Sequence, residues 1–185
     1  PVGRLDKDSE GLLLMTNDGA FANAMMHPSG GISKLYRVTV QPRATEQQVL
    51  QLSSGVVLDD GTKTLPCTVN VVVDEPGRTV MEITLKEGKN REIRRMCEAV
   101  GLEVVRLKRN AEGVVKLGML APGKYRELTK QELAGLRAAA AKGRAQTRSA
   151  AAAKAARPKA VAGPVKARAK TPAAGPRSRG PKRQG

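Results

Sequence analysis

Residues 65–87 limit the possible folds most. Leu65 to Asp74 (LPCTVNVVVD) and Arg78 to Glu87 (RTVMEITLKE) are rich in β-formers, and Glu75-Pro76-Gly77 stands between them. Two such runs around a turn signal read as a β-hairpin. A lone hairpin is marginal in water, so other strands must pair with it and something must cover it. Lys34 to Val40 (KLYRVTV) alternates and gives a third strand, and VVRLKR from Val104 gives another. GLLLMT from Gly11 is short, apolar and closed by Asn17-Asp18-Gly19, so it is expected as a buried strand.

Helices fill the gaps. AFANAMMH, Ala20 to His27, is expected to start on Asp18 and to stop at Pro28. Thr45 to Leu52 fits a helix capped by Thr45 and closed by Gly55. Between Asn90 and Val100, the residues Ile93, Met96, Cys97 and Val100 recur at i, i+3, i+4 and i+7, and Gly101 follows. A last helix is expected from Thr129. Strands outnumber helices, which points to an α+β fold with a mixed, mainly antiparallel sheet and flanking helices.

The charge is unevenly placed. The 185 residues carry 33 Lys and Arg against 17 Asp and Glu, a net of +16, yet residues 137–185 hold 14 of the bases and no acid. The body, 1–136, therefore has 19 basic and 17 acidic residues, a net of +2. One domain over 1–136 is expected, followed over 137–185 by a basic tail of Ala, Lys, Arg, Pro and Gly. That composition lacks the apolar surface to offset the entropy of ordering, so the tail is expected to be disordered, with a short helix at most around Ala150 to Ala156. Cys67, Cys97 and the single His27 supply neither a zinc cluster nor a disulfide framework, and they suit a reducing compartment. No apolar run approaches the length of a membrane span. The chain opens at Pro1, in the middle of what reads as a motif, as a fragment without its natural N-terminus would.

Few residues stand out as chemistry. Asp6 closes an Arg-Leu-Asp turn beside the apolar run, and a carboxylate beside a buried strand needs a cationic partner. Most aspartates in such turns simply bond their own backbone. Arg94 lies about 100° round the helix from core-facing Ile93, where its stem can rest on apolar surface and its fork can reach a carboxylate. Its alternative is a solvated charge paired with Glu98, the better reading for Arg91 and Arg95. Lys89 and Asn90 would put backbone N–H groups near a bound phosphate. Tyr36 is one of three aromatics, with Phe21 and Tyr125, and is either a core tyrosine or a ring on which a base stacks. Arg4 is a phosphate contact or a turn charge, and His27 reads as a helix-end residue.

GRLDKDSEGLLLMTNDG, Gly3 to Gly19, closely resembles the first motif of the RsuA/RluB branch of pseudouridine synthases. KLYRVTV is similar to the second motif, EITLKEGKNREIRRMCEAVG to the third, and VVRLKR with LGMLAPGKYRELT to the closing segment. The motifs fall in family order from Pro1 to about Leu136, and MMHPSGGISKLYRV and EGKNREIRRM look closest to RluB-like members.

The resemblance implies a cofactor-free and metal-free isomerase that rejoins uracil to ribose through carbon 5. It implies Asp6 as nucleophile, Tyr36 as stacking ring, Arg94 as the partner of Asp6 and Arg4 as an RNA contact; Lys89, Asn90, Arg91 and Arg95 are the further RNA contacts expected. The implied partner is ribosomal RNA, large subunit favoured, or a pre-ribosomal particle, acted on by a cytoplasmic monomer. Family members usually begin with a small S4-like RNA-binding domain and a first catalytic-domain strand, both absent from this sequence. The rival readings are a ribosome-associated RNA-binding protein that has lost the chemistry, and a polycationic tail on an inert body.

Overall fold

The computed structural model describes residues 1–27 and 31–155. The elements in chain order are β1 (Glu10–Gly11), α1 (Gly19–Met26), β2 (Lys34–Gln41), α2 (Glu46–Ser54), β3 (Thr68–Glu75), β4 (Arg78–Leu85), α3 (Glu92–Ala99), β5 (Glu103–Glu112), β6 (Val115–Lys116) and α4 (Lys130–Ala155). They form one six-stranded sheet of order β1-β5-β2-β4-β3, with β6 paired to β5. Only β1 runs parallel to its neighbour; the other pairings are antiparallel. The expected α+β fold with a mixed, mainly antiparallel sheet is the fold observed.

Local sequence explains most elements. The β3–β4 hairpin closes on Pro76-Gly77, with Glu75 paired to Arg78 and Gly77 at φ +84°, a conformation that favours glycine. In α2 the Thr45 hydroxyl accepts from Gln48 N while the Gln48 side chain accepts from Thr45 N, a complete capping box. In α1 the Asp18 carboxylate accepts from Phe21 N at 2.9 Å. The expected stop at Pro28 lies outside the described residues.

Two cores result. Val38, Val40, Met81, Ile83 and Leu107 of the sheet pack with Leu52 of α2 and Ile93, Met96 and Cys97 of α3. Val2, Leu12 and Leu14 join Phe21 and Met25 of α1, Val115 of β6 and Leu136 and Ala140 of α4 in the second. Each large side chain so buried contributes roughly 1.5–3 kcal/mol.

The expected GLLLMT strand is not formed as such. Only Glu10 and Gly11 form a strand, followed by a lone Val2–Leu14 bridge. Gly11 sits at φ +109° and turns the chain out of regular extension, leaving Leu12 and Leu14 buried but Leu13 and Met15 exposed. At the other end, α4 crosses the expected boundary at 136/137 without a break. Ala140 is buried in the second core, which holds the helix past Leu136. The rest of the expected tail, 156–185, lies outside the described residues.

Candidate active site

One cavity of about 800 Å³ collects most of the residues singled out in the sequence. The Val2–Asp6 turn, carrying Arg4 and Asp6, lines one side. Lys34 and Tyr36 of β2 and Arg109 and Glu112 of β5 line the sheet side, and the β4–α3 loop, Lys86 to Arg91, closes the rim.

The ladder sets the sheet side. Tyr36 pairs across to Arg109 and Lys34 to Glu112, with a bulge between Leu35 and Tyr36 that leaves Asn110 unmatched. Arg109 and Glu112 are almost fully buried, with 3.8 Å between Arg109 Nη2 and Glu112 Oε2. Burial pushes the Tyr36 phenol above its ordinary range, opposed by the Arg109 guanidinium beside it. Burial likewise lowers the Lys34 ammonium and raises the Glu112 carboxyl.

The loop side is held by arginines acting on backbone. Arg94 Nη2 donates to Asp8 O at 2.6 Å and Nη1 to Val104 O at 3.0 Å, tying the turn after Asp6 to β5. Arg109 Nε donates to Leu12 O at 2.7 Å. Arg91 Nη1 stands 3.5 Å from Asp8 Oδ2. The turn closes on itself through Ser9 N donating to Asp6 O at 2.9 Å, and the Asp6 side chain stays partly exposed.

At the rim, Lys89 Nζ binds Glu87 and Lys89 N donates to Glu92 Oε2 at 2.9 Å. Burial and the neighbouring Glu87 push Glu92 up to about 7. Burial would raise Glu87 as well, but hydrogen bonds from Glu92, Lys89 and Leu65 N hold it low. Glu92 therefore carries the proton of this pair near neutrality.

A family model described as RNA pseudouridylate synthase matches residues 1–99. This chain belongs to the RNA pseudouridylate synthase family. It is 43% identical over 134 residues to the uncharacterized RNA pseudouridine synthase YtzG of Bacillus subtilis, covering 72% of this chain and 56% of that protein. It is 42% identical over 146 residues to the ribosomal large subunit pseudouridine synthase B of Bacillus subtilis, covering 78% of this chain and 59% of that protein. A solved structure, a crystal structure of a pseudouridylate synthase, matches with a TM-score of 0.68 at 32% identity, covering 73% of this chain and 58% of that chain. The chain thus spans a little over half the length of these relatives.

Within this synthase fold the residues expected from sequence separate. Asp6, Tyr36, Arg4, Lys89, Asn90 and Arg91 all line the cavity. Arg94 does not line it, and among the described residues it makes no ion pair with Asp6, because both Nη atoms serve backbone carbonyls. The expected carboxylate–guanidinium pair is replaced by a grip on the same loop two residues further on. Arg95 also leaves the site. Its Nε donates to Asp59 Oδ1 at 2.6 Å and its Nη2 lies 2.8 Å from Asp60 Oδ2, since two adjacent carboxylates fit a planar fork better than solvent does. The Lys89 N–H expected to meet a phosphate is taken by Glu92.

Lys34, Glu87, Glu92, Arg109 and Glu112 were not singled out from the sequence. The available signal was strand alternation: Lys34 and Tyr36 share one face of β2, and Arg109 lies in step with Leu107 on β5. Charged residues in step with a core face mark a buried polar site.

Proposed function

We propose that this chain converts a uridine of ribosomal RNA, in the large subunit, to pseudouridine. The observation that carries the reading is the convergence of Asp6, Tyr36 and the basic β4–α3 loop on one cavity, in a chain of this family. Asp6 acts as nucleophile, Tyr36 stacks on the extruded uracil, and Arg94 positions the Asp6 turn through Asp8 O. The bond from N1 to C1′ breaks and one from C5 to C1′ forms. C5 loses a proton and N1 gains one, so the isomerisation needs no co-reactant and no cofactor. A base flipped into such a pocket leaves the RNA backbone outside, where Arg4 and Arg91 meet phosphates. Positions 156–185 add nine Lys and Arg and no acid, charge that would track phosphates without reading sequence.

The partner is a ribosomal RNA or pre-ribosomal particle in the cytoplasm, and the protein acts as a monomer. Among the described residues no helix is long and apolar enough to cross a membrane. The decisive experiment is Asp6→Asn, with pseudouridine mapped chemically after incubation with large-subunit RNA. The variant should fold normally and lose activity by more than about a thousandfold, as removal of a nucleophile does. Activity near wild type would overturn the assignment.

A further inference from the structure

Five buried side-chain atoms among the described residues have no hydrogen-bond partner: Ser9 Oγ, Glu92 Oε1, Arg94 Nε, Arg109 Nη2 and Glu112 Oε2. All but Arg94 belong to residues lining the one cavity. Buried polar atoms are nearly always satisfied in folded proteins, so such a concentration calls for a ligand that completes it. Glu92 is answered by Glu87 once it is protonated. Arg109 and Glu112 are not answered by each other, because 3.8 Å is too long for a hydrogen bond.

We propose that Arg109 Nη2 and Glu112 Oε2 read the edge of the uracil ring, Glu112 accepting from N3–H and Arg109 donating to an adjacent carbonyl oxygen. The inference rests on the uridine-modifying reading above and adds to it the residues that set base specificity. Three observations support it. The two atoms form a donor and an acceptor side by side, each in a side chain with at most 3% of its surface exposed. Arg109 is fixed from behind by Leu12 O at 2.7 Å, which leaves Nη2 as its uncommitted donor at the cavity. Arg109 is also the cross-strand partner of Tyr36, so the polar pair and the stacking ring occupy adjoining sheet positions. A ring stacked on Tyr36 would lie beside that pair.

The order of the two groups matters. Uracil offers a donor at position 3 beside an acceptor at position 4, and cytosine offers the reverse. A fixed acceptor and donor match one base and place like groups against each other for the other base. Burial raises the Glu112 carboxyl, and Arg109 and Lys34, the latter across the ladder from it, act against that rise.

The test uses the full 185-residue chain titrated by NMR with uridine 5′-monophosphate, its N3-methyl derivative and cytidine 5′-monophosphate. Wild type should bind the methylated nucleotide and the cytidine nucleotide about tenfold more weakly than the uridine one, the size expected for one charge-assisted hydrogen bond. Glu112→Ala should reduce the methyl penalty to less than about twofold, and the isosteric Glu112→Gln, which keeps the packing, to about threefold. Wild type that fails to prefer the unmethylated nucleotide, or an unchanged methyl penalty in both variants, overturns the proposal. Discrimination at N3 by a wild type that makes no pseudouridine overturns the activity and leaves the base-reading pair standing. Pseudouridine formation with a full methyl penalty in Glu112→Gln overturns the pair alone.

Discussion

The sheet side of the cavity is placed by strand register, whereas the loop side is placed by guanidinium groups gripping carbonyls. Lys34, Tyr36, Arg109 and Glu112 stand where the β2–β5 ladder puts them, with seven further ladder pairs from β4 fixing β2 from its other edge. The Asp6 turn is followed only by the two-residue β1–β5 pairing. It is held at Asp8 by Arg94, at Leu12 by Arg109 and through Glu10 by Arg106. In the proposed reaction, rigid sheet positions suit the groups that recognise a planar ring, and a tethered turn suits the group that approaches it. The two sides should therefore respond differently to mutation: changes at the joint should cost folding, and changes to the tethers should cost activity more than folding.

Gly11 is the joint, and its replacement should have the largest effect on stability. A Cβ there would lie 2.3 Å from Arg109 O and 2.7 Å from Arg109 N, on a backbone at φ +109°. Gly11→Ala has to push β1 off β5 and break the bond from Leu12 N to Arg109 O as well as the one from Arg109 Nε to Leu12 O. A loss of about 2–5 kcal/mol is expected by urea denaturation, from strained backbone plus overpacking. A loss under about 1 kcal/mol would mean that the turn is not seated on β5, and the contrast between the two sides would fail.

Arg94 tests the tether itself. Arg94→Lys keeps the charge but cannot reach Asp8 O and Val104 O together, because an ammonium is a single point and the fork spans two acceptors. Pseudouridine formation should fall by about tenfold to a hundredfold through misplacement of Asp6, with about 1–3 kcal/mol of stability lost. Arg95→Lys, one residue on, disturbs only the exposed Asp59 and Asp60 and should leave the rate near wild type. Equal behaviour of the two variants would remove Arg94 from the site.

The contrast also separates what the chain reveals by itself from what it conceals. The β3–β4 hairpin, the Thr45 capping box and the buried stripe of α3 are local patterns, and the structure has them close to where the residues suggest. Short motifs surround Asp6 and Tyr36, and both line the cavity. Arg109 could be read from its step with Leu107, but Glu112 could not, since it lies past a bulge between Leu35 and Tyr36 that shifts the register by one residue. The shortened β1 went unread because Gly11 acts through close approach to a strand almost a hundred residues away. The helical position of Arg94 allows it a carboxylate partner, but nothing in the spacing tells a side chain from a backbone acceptor. The continuation of α4 past Leu136 depends on the contact made by Ala140, which composition alone cannot show.

The smallest expected effect lies at the rim, where Glu92 links the β4–α3 loop to α3. Its carboxyl is raised from the ordinary 4.5 to about 7, mainly by burial and then by Glu87. Between those two values the folded protein holds a proton that the unfolded chain has released, so stability must fall as pH rises from about 4.5 to about 7. Glu87 is held low instead, so its contribution is lost only as pH falls below about 4.5, outside that window. Glu112 is raised by burial and acts with the same sign as Glu92, whereas Tyr36 is raised from a value already above that window. Wild type should therefore lose about 1–2 kcal/mol between pH 5 and pH 8 by urea denaturation. Glu92→Gln, uncharged throughout, should lose less than half of that. Parallel stability curves for the two proteins would show that Glu92 is ionised at neutrality, so that Lys89 and not a shared proton holds the rim to the helix.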